Sequence, residues 1–483
     1  MIIAPKNIAV KAITACATGL FIHFSALATI PVQHWTQASG AKVYLVESPA
    51  IAMVDVQIDF DAGSRRDPPG QAGLAAMTAS LLEKGVRAFP LHQQGPALSL
   101  SKSRTAGAAV PSGGSKGREA TSVGAALDEN ALGEAWADLG ASFGASASAD
   151  RMSFSLRSLT DTELLDQAVA LAARQLAEPS FPDAVWQRER QRLQAALKES
   201  YTRPASVIGR AYAAAVYGQH PYGYEMSEAT LEKISVADLQ AAHAAGVVAC
   251  RARVSMVGAV TRAQADAIAT RLLSRLPPQP CSRLSPLPVI DEVQPLAQAA
   301  VNTLAFDSAQ AHVLIGQPGF RRADPDYFPL VVGNYILGGG GFVSRLTTEV
   351  REKRGLTYGV SSSFSPGLHA GSFTVGLQTR PDQAAQAVQI ARQVVSDFVA
   401  NGPTEAELKA ARDNLVGGFA LRIDSNRKLL GNLAGMAWND LPLDYLDTWT
   451  QQVEKVSVAD IKAAFARKLQ PDKMVTVILG AAP

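Results

Sequence analysis

Residues 338–358 read GGGGFVSRLTTEVREKRGLTY, and this stretch is the most distinctive part of the chain. Four consecutive glycines allow the backbone to bend sharply and to approach another segment closely. We predict a helix over about 342–354, because Phe342, Leu346 and Val350 recur every four residues and form a narrow apolar stripe. Gly355 should end this helix, since glycine is common just past a helix C-terminus.

An arginine and a tyrosine lie seven residues apart across the predicted helix end, at Arg351 and Tyr358. A guanidinium offers a planar fork of donors and a phenol offers a hydroxyl, so the pair is suited to binding a peptide backbone. No Lys-Ser/Thr pair follows the glycines, which argues against a phosphate-binding loop. The simpler alternative is a glycine loop followed by a capped surface helix.

The stretch resembles a motif of the pitrilysin/insulinase metallopeptidases, the inverted-zincin family that includes the mitochondrial processing peptidase. Those proteins combine a Gly-rich turn, Ser-Arg-Leu and then Arg-Glu-Lys-Arg-Gly-Leu-x-Tyr. The resemblance implies that Arg351 and Tyr358 bind substrate and stabilise the reacting carbonyl. It covers nearly all of the chain after residue 28, except residues 88–124. It implies an α+β fold of two homologous domains, each a mostly antiparallel sheet packed against helices.

Active members of this family carry His-x-x-Glu-His on a helix that corresponds to about 73–84 here. Two histidines four residues apart bind Zn²⁺ from one helical face, and the glutamate polarises the metal-bound water. The alignment places Ala76 and Ser80 at the histidine positions and Ala79 at the glutamate position. None of these side chains can perform those roles, so we expect no metal on this chain.

Other candidate ligands are few. Glu199 corresponds to the third zinc ligand of the family, but one carboxylate does not hold zinc without the histidines, and we expect an exposed helix charge. His220 could be a metal ligand or an acid–base group, although its place before Pro221 is more typical of a turn-stabilising histidine. No two of the seven histidines are three or four residues apart; they are His23, His34, His92, His220, His243, His312 and His369.

Composition sets broad limits. The chain has 483 residues, of which 47% are hydrophobic and 18% charged, enough for two globular cores. A net charge of +2 provides no field that would recruit nucleic acid or a membrane surface. Of the three cysteines, Cys16 lies near the N-terminus, and Cys250 and Cys281 could pair or stay reduced.

Residues 1–28 have the pattern of a secretory signal peptide. Lys6 and Lys11 precede a largely apolar run, and Ala26-Leu27-Ala28 is an A-x-A cleavage site. We expect export to the periplasm or the outside of the cell, with no membrane attachment after cleavage. The alternative is an uncleaved anchor, which the short and interrupted run makes less favourable.

Internal similarity divides the remaining chain into two halves. Gly63-Ser-Arg-Arg recurs 256 residues later as Gly319-Phe-Arg-Arg, and Ser235-Val-Ala-Asp-Leu recurs 222 residues later as Ser457-Val-Ala-Asp-Ile. The difference of 34 residues matches a Ser/Gly/Ala/Pro-rich insertion at about 88–124, whose role as a surface loop or a basic arm is open. We predict domains at 29–275 and 301–483, joined by a Pro-rich linker at 276–300.

These features predict a non-catalytic, substrate-binding subunit of a heteromeric zinc metallopeptidase. A homologous partner would carry the zinc motif, and Arg351 and Tyr358 would reach the partner's site. The alternative from another class is a binding or scaffold protein without peptidase function. A divergent active peptidase is disfavoured, because no other paired histidines exist in the sequence.

Overall fold

The computed structural model describes residues 30–88 and 124–480. The predicted signal peptide lies outside these residues, as does all but the ends of the predicted insertion. Within the described ranges, no helix combines the length and the apolar character needed to cross a bilayer.

The first half contains eight strands and eight helices among the residues described. The strands are β1 (Gln33–Thr36), β2 (Lys42–Glu47), β3 (Met53–Phe60), β4 (Gly85–Val86), β5 (Leu127–Asp128), β6 (Ser142–Ala147), β7 (Met152–Leu159) and β8 (Arg253–Gly258). The helices are α1 (Leu74–Leu81), α2 (Glu129–Asp138), α3 (Thr162–Ala177), α4 (Asp183–Ser200), α5 (Pro204–Tyr217), α6 (Glu228–Glu232), α7 (Val236–Gly246) and α8 (Arg262–Leu273).

The second half repeats this arrangement with five strands and six α-helices among the residues described. The strands are β9 (Ala300–Leu304), β10 (Ala311–Pro318), β11 (Val360–Phe364), β12 (Ser372–Thr379) and β13 (Val475–Leu479). The helices are α9 (Tyr327–Asn334), α10 (Ala384–Asn401), α11 (Glu405–Gly417), α12 (Asn426–Trp438), α13 (Tyr445–Lys455) and α14 (Val458–Lys468).

The two main sheets share one topology. The first has the order β1-β2-β8-β3-β7-β6, and the second has the order β11-β12-β10-β13-β9. Only β2–β8 and β9–β13 pair in parallel, whereas the other neighbours in these sheets are antiparallel. Strands β2, β8, β3, β7 and β6 therefore correspond to β9, β13, β10, β12 and β11, and the predicted α+β fold of two homologous domains is confirmed.

The sequence repeats coincide with equivalent points of the two halves. Ser235 and Ser457 begin α7 and α14, and each forms a reciprocal capping box with the aspartate three residues later. The Gly-x-Arg-Arg segments follow β3 and β10, which are the equivalent central strands. The same capping box therefore begins the corresponding helix, α7 or α14, in each half.

One face of each sheet packs against helices of its own half. Val54, Val56, Ile58 and Phe60, which alternate along β3, are all buried in the first core, as their spacing predicts. Val313 and Ile315 of β10 occupy the same place in the second core.

The other face of each sheet is covered by a helix from the opposite half. On α5, Ile208, Tyr212 and Val216 pack against β13, and the Tyr212 hydroxyl donates to the Phe373 carbonyl at 2.9 Å. On α12, residues 430–437 pack in the same way against β2 and β8. The halves are therefore interlocked, whereas we expected two compact units joined by a linker. This exchange of helices left no periodic signal in the sequence.

The exchanged α12 explains buried charges on β3 that alternation would have placed in solvent. Asp55 and Asp59 are 5% and 0% exposed. Arg157 forms an ion pair with Asp55 at 2.8 Å, and Arg151 forms one with Asp59 at 3.0 Å. Buried carboxylates need such partners because desolvation otherwise disfavours their charged form.

The Pro-rich segment at 276–300 is fastened to the first half. Cys250 and Cys281 form a disulfide with their Cα atoms 5.6 Å apart, which settles a pairing that the sequence left open. Arg251 donates to the Ser285 carbonyl at 2.6 Å, and Arg66 donates to the Pro288 carbonyl at 3.0 Å. Val293 is only 5% exposed.

Candidate functional site

The glycine run holds its loop against the edge strand of the second sheet. A Cβ atom on Gly338 would lie 2.4 Å from the Ser362 hydroxyl and 2.5 Å from the Ser362 amide nitrogen, so only glycine fits. Asn334 accepts from the Ser362 hydroxyl at 2.7 Å and donates to the Ser362 carbonyl at 3.1 Å. Gly341 adopts a φ of +62°, the left-handed conformation that glycine tolerates at no steric cost.

The predicted helix over 342–354 is partly wrong. Gly341–Val343 forms a 3₁₀ turn, and the following helix is of the π type over Thr347–Glu352. Ser344 is extended, and its hydroxyl donates to the Gly341 carbonyl at 2.8 Å, so the helix starts after it. Phe342 consequently lies outside the helix and is 69% exposed. Leu346 and Val350 are fully buried, as predicted.

The helix ends where its glycine predicts. Gly355 has a φ of +62°, and its N–H donates to the Arg351 carbonyl at 2.8 Å. The Leu356 N–H donates to the Val350 carbonyl at 3.0 Å, which closes the wide last turn. Leu356 is buried, so the chain is anchored between Arg351 and Tyr358. Irregular π-type turns of this kind are frequent at functional sites.

Arg351 and Tyr358 are brought together at the surface. The Arg351 guanidinium carbon lies 5.0 Å from the centre of the Tyr358 ring and 4.7 Å from the centre of the Phe342 ring. Two cation–π contacts thus hold the guanidinium between aromatic faces. Tyr358 itself is 87% exposed. The predicted apolar stripe put Phe342 on the buried face of the helix, so its contact with Arg351 was not predicted.

The donors of Arg351 are available for a ligand. In residues 30–88 and 124–480, no carboxylate oxygen lies within 4.0 Å of its guanidinium nitrogens. Its basic neighbours are neutralised instead, because Glu349 pairs with Lys353 and Arg354, both at 2.7 Å. The side-chain hydrogen bond from Lys353 to Glu349 lowers the pKa of that carboxyl. One cation at the site therefore faces solvent without a counter-ion from the described chain.

The helix aligned with the zinc motif is α1, and its three motif positions hold small side chains. Ala79 is 1% exposed, and Ala76 and Ser80 are half-buried one turn apart. A methyl, a methyl and a hydroxymethyl group do not fit a zinc ion, which takes imidazole, thiolate or carboxylate ligands. Among the described residues, no cluster of three or more His, Cys, Asp or Glu side chains could hold a metal ion.

The sequence analysis did not predict that a buried aspartate, Asp67, caps the start of α1. Asp67 is 6% exposed, and its carboxylate accepts from the Gly73 and Ala75 amides, both at 2.9 Å. It caps the helix across an intervening turn, so no residue next to the helix start marked it. Burial raises the pKa of Asp67 to about 6.

The two other candidate residues, Glu199 and His220, each bond to a residue near it in the chain. Glu199 is exposed at the end of α4 and forms an ion pair with Arg203 one turn on. The buried carboxylate of α4 is Glu189, which pairs with Arg192 at 2.8 Å. The Nδ1 atom of His220 accepts from the Tyr222 amide at 3.1 Å, and burial lowers the pKa of His220.

Two family models match the chain. Residues 124–230 match "Insulinase (Peptidase family M16)", and residues 233–415 match "Peptidase M16 inactive domain". The structure resembles the peptidase M16 inactive domain from Pseudomonas fluorescens with a TM-score of 0.80 and 32% identity. That match covers 94% of this chain and 98% of the other.

More distant relatives share the fold or part of the sequence. The periplasmic protease PqqL from Escherichia coli has a TM-score of 0.72 at 18% identity, over 99% of this chain and 49% of that one. An uncharacterized zinc protease of Mycobacterium leprae, ML0855, is 27% identical over 57% of this chain and 62% of its own length. The non-peptidase homolog YmxG of Helicobacter pylori is 33% identical over 32% of this chain and 36% of its own length.

Coverage limits what these relatives convey. The sequence matches span less than two thirds of the curated relatives' own length, so their activities do not pass directly to this chain. The Pseudomonas structure, by contrast, is matched almost from end to end at 32% identity. The resemblance carried by residues 338–358 is confirmed: the chain belongs to the insulinase (peptidase M16) family.

Proposed function

We propose that this chain is a non-catalytic, substrate-binding subunit of a heteromeric zinc metallopeptidase. The observation that carries the proposal is the exposed Arg351–Tyr358 pair, which is held in place by aromatic contacts and a closed helix end. The side chains at Ala76, Ala79 and Ser80 supply neither metal ligands nor a general base. Together these features support a site to which this chain would contribute the substrate-binding donors and a second subunit the metal.

A homologous partner would supply the zinc ion and the glutamate that activates water. Arg351 and Tyr358 would donate hydrogen bonds to the substrate carbonyl oxygen and to the oxyanion that develops from it. Donors fixed before reaction cost little reorganisation when the negative charge appears. The ring of Phe342 would keep the guanidinium aimed at that oxygen rather than dispersed in solvent.

Export to the periplasm, or secretion, belongs to the same proposal. The signal-like residues 1–28 support it. The Cys250–Cys281 disulfide also supports it, because disulfides persist mainly in oxidising compartments. The fold neighbour PqqL is itself described as periplasmic.

The proposal is tested by turnover of the assembled complex with Arg351→Ala and Tyr358→Phe. Removal of one oxyanion donor typically costs about 2.7–4 kcal/mol, or ~10²–10³ in kcat. We expect losses of this order for Arg351→Ala without unfolding of the complex. Arg354→Ala is the matched control, because that arginine already pairs with Glu349.

Unchanged kinetics for both variants would remove the assigned role. Failure of the chain to associate with any zinc-motif homologue would favour the scaffold alternative. The name of the Helicobacter relative, a non-peptidase homolog, is compatible with either role.

A further inference from the structure

A groove of about 550 Å³ opens beside Tyr358 on the second sheet. It lies on the sheet face that α5 covers, between the start of that helix and the edge strand β11. None of its lining residues is Asp, Glu, Lys or Arg, and they include Ile208, His312, Leu314, Tyr358, Ser361 and Gly376.

The space exists because a central position of β12 lacks a side chain. Gly376 pairs with Leu314 of β10 and with Ser361 of β11, so it sits in the middle of the groove floor. A Cβ atom on Gly376 would lie 3.4 Å from the nearest Leu314 methyl, an ordinary contact, and meet no other atom closer. A larger side chain at this position would therefore project into the groove without displacing the backbone.

The groove is uncharged and partly apolar. Ile208 is 3% exposed, and together with Leu314 it gives the groove an aliphatic wall. Desolvation lowers the pKa of His312, which favours the neutral form of its imidazole. A charged ligand group would lose hydration there without gaining a counter-charge.

We propose that this groove receives one uncharged, apolar side chain of the peptide that Arg351 and Tyr358 bind. Tyr358 links the two features, because it contacts the Arg351 guanidinium and also forms part of the groove wall. Strand β11 is at the sheet edge, but its Val360 and Ser362 carbonyls already accept from the side chains of Thr347 and Asn334, so the feature left for the peptide here is the groove and not the strand edge. This inference rests on the proposed function and adds a side-chain preference to it.

The test measures binding of two fluorescein-labelled heptapeptides, Gly-Gly-Ser-Leu-Ser-Gly-Gly and the same peptide with Asp in the centre, to the full chain by anisotropy. We expect the leucine peptide to bind at least about tenfold more tightly, which is ~1.4 kcal/mol. Gly376→Leu should abolish this preference by filling the groove. Gly133→Leu is the control, because a Cβ atom there meets nothing within 4 Å on the distant helix α2.

Two further variants make every outcome informative. Ser361→Phe fills the groove from an exposed position on β11 and should act like Gly376→Leu if that variant folds poorly. Arg351→Ala should weaken both peptides equally and leave their ratio unchanged. Equal binding of the two peptides by the native chain, no binding of either, or a preference that survives both groove-filling variants would overturn the groove proposal. An effect of Arg351→Ala without any preference would leave the proposed function standing alone.

Discussion

Removal of the Cys250–Cys281 disulfide should destabilise the chain substantially. The bond closes a segment with a sequence separation of 31 residues, which contains β8, α8 and the start of the Pro-rich linker. In the chain-entropy treatment, a loop of this size contributes about 3.7 kcal/mol by restricting the unfolded state. Cys250 is 7% exposed, so two serines in place of the cysteines should also leave one hydroxyl poorly solvated.

The assay is urea denaturation of the native chain and of the Cys250→Ser/Cys281→Ser variant, with and without reductant. Without reductant, the variant should unfold at a clearly lower midpoint and with a steeper slope, because an unfolded chain without the cross-link exposes more surface. Reductant should lower the native midpoint towards that of the variant, which keeps the additional cost of its buried hydroxyl, and should leave the variant itself unchanged. Equal midpoints for the two proteins under oxidising conditions would refute the reasoning.

Three other perturbations test separate parts of the structure by denaturation. Gly338→Ala should cost at least ~1–3 kcal/mol, because its methyl group would overlap Ser362; a native-like midpoint would contradict the close approach. Leu433 is fully buried where α12 packs against the first sheet, so Leu433→Ala should lower the free energy of unfolding by about 2–5 kcal/mol. A loss below ~0.5 kcal/mol, which is typical of surface positions, would argue against the helix exchange. Burial raises the pKa of Asp67 from 3.8 to about 6, so the folded chain binds this proton more tightly than the unfolded chain does. The protonated carboxyl therefore adds to the free energy of unfolding in full below pH 3.8. This contribution, up to roughly 3 kcal/mol, is lost as the pH rises through 6. Asp67→Asn should therefore flatten the stability difference between pH 4 and pH 7, and an unchanged difference would exclude Asp67 as its source.

Local chemistry made much of each half predictable. The alternation on β3, the helices α3 and α4 and the capping boxes at Ser235 and Ser457 follow from residues near one another in sequence. The placement of α5 and α12 on the opposite sheets does not, because their apolar faces fit any sheet of similar shape. Asp55 and Asp59 are buried because α12 of the second half covers their face of the sheet, whereas an isolated first half would leave them in water.

The candidate site was predictable in its residues but not in its geometry. The spacing of Arg351 and Tyr358 indicated a pair, and Gly355 indicated the turn between them. The outward position of Phe342 depends on the Ser344 hydroxyl and on a π-type helix, neither of which the apolar stripe reveals. The groove beside Tyr358 depends on strand register, which brings Gly376 opposite Leu314 and Ser361.

We propose that this chain completes a zinc peptidase made with another subunit. The most direct measurement is purification of the tagged protein from its native host, followed by mass spectrometry, metal analysis and a peptidase assay with and without chelator. We predict a co-purifying homologue with His-x-x-Glu-His, chelator-sensitive cleavage by the complex, and no stoichiometric zinc on the isolated chain. One tightly bound zinc per isolated chain, or a solitary and inert protein, would contradict the account.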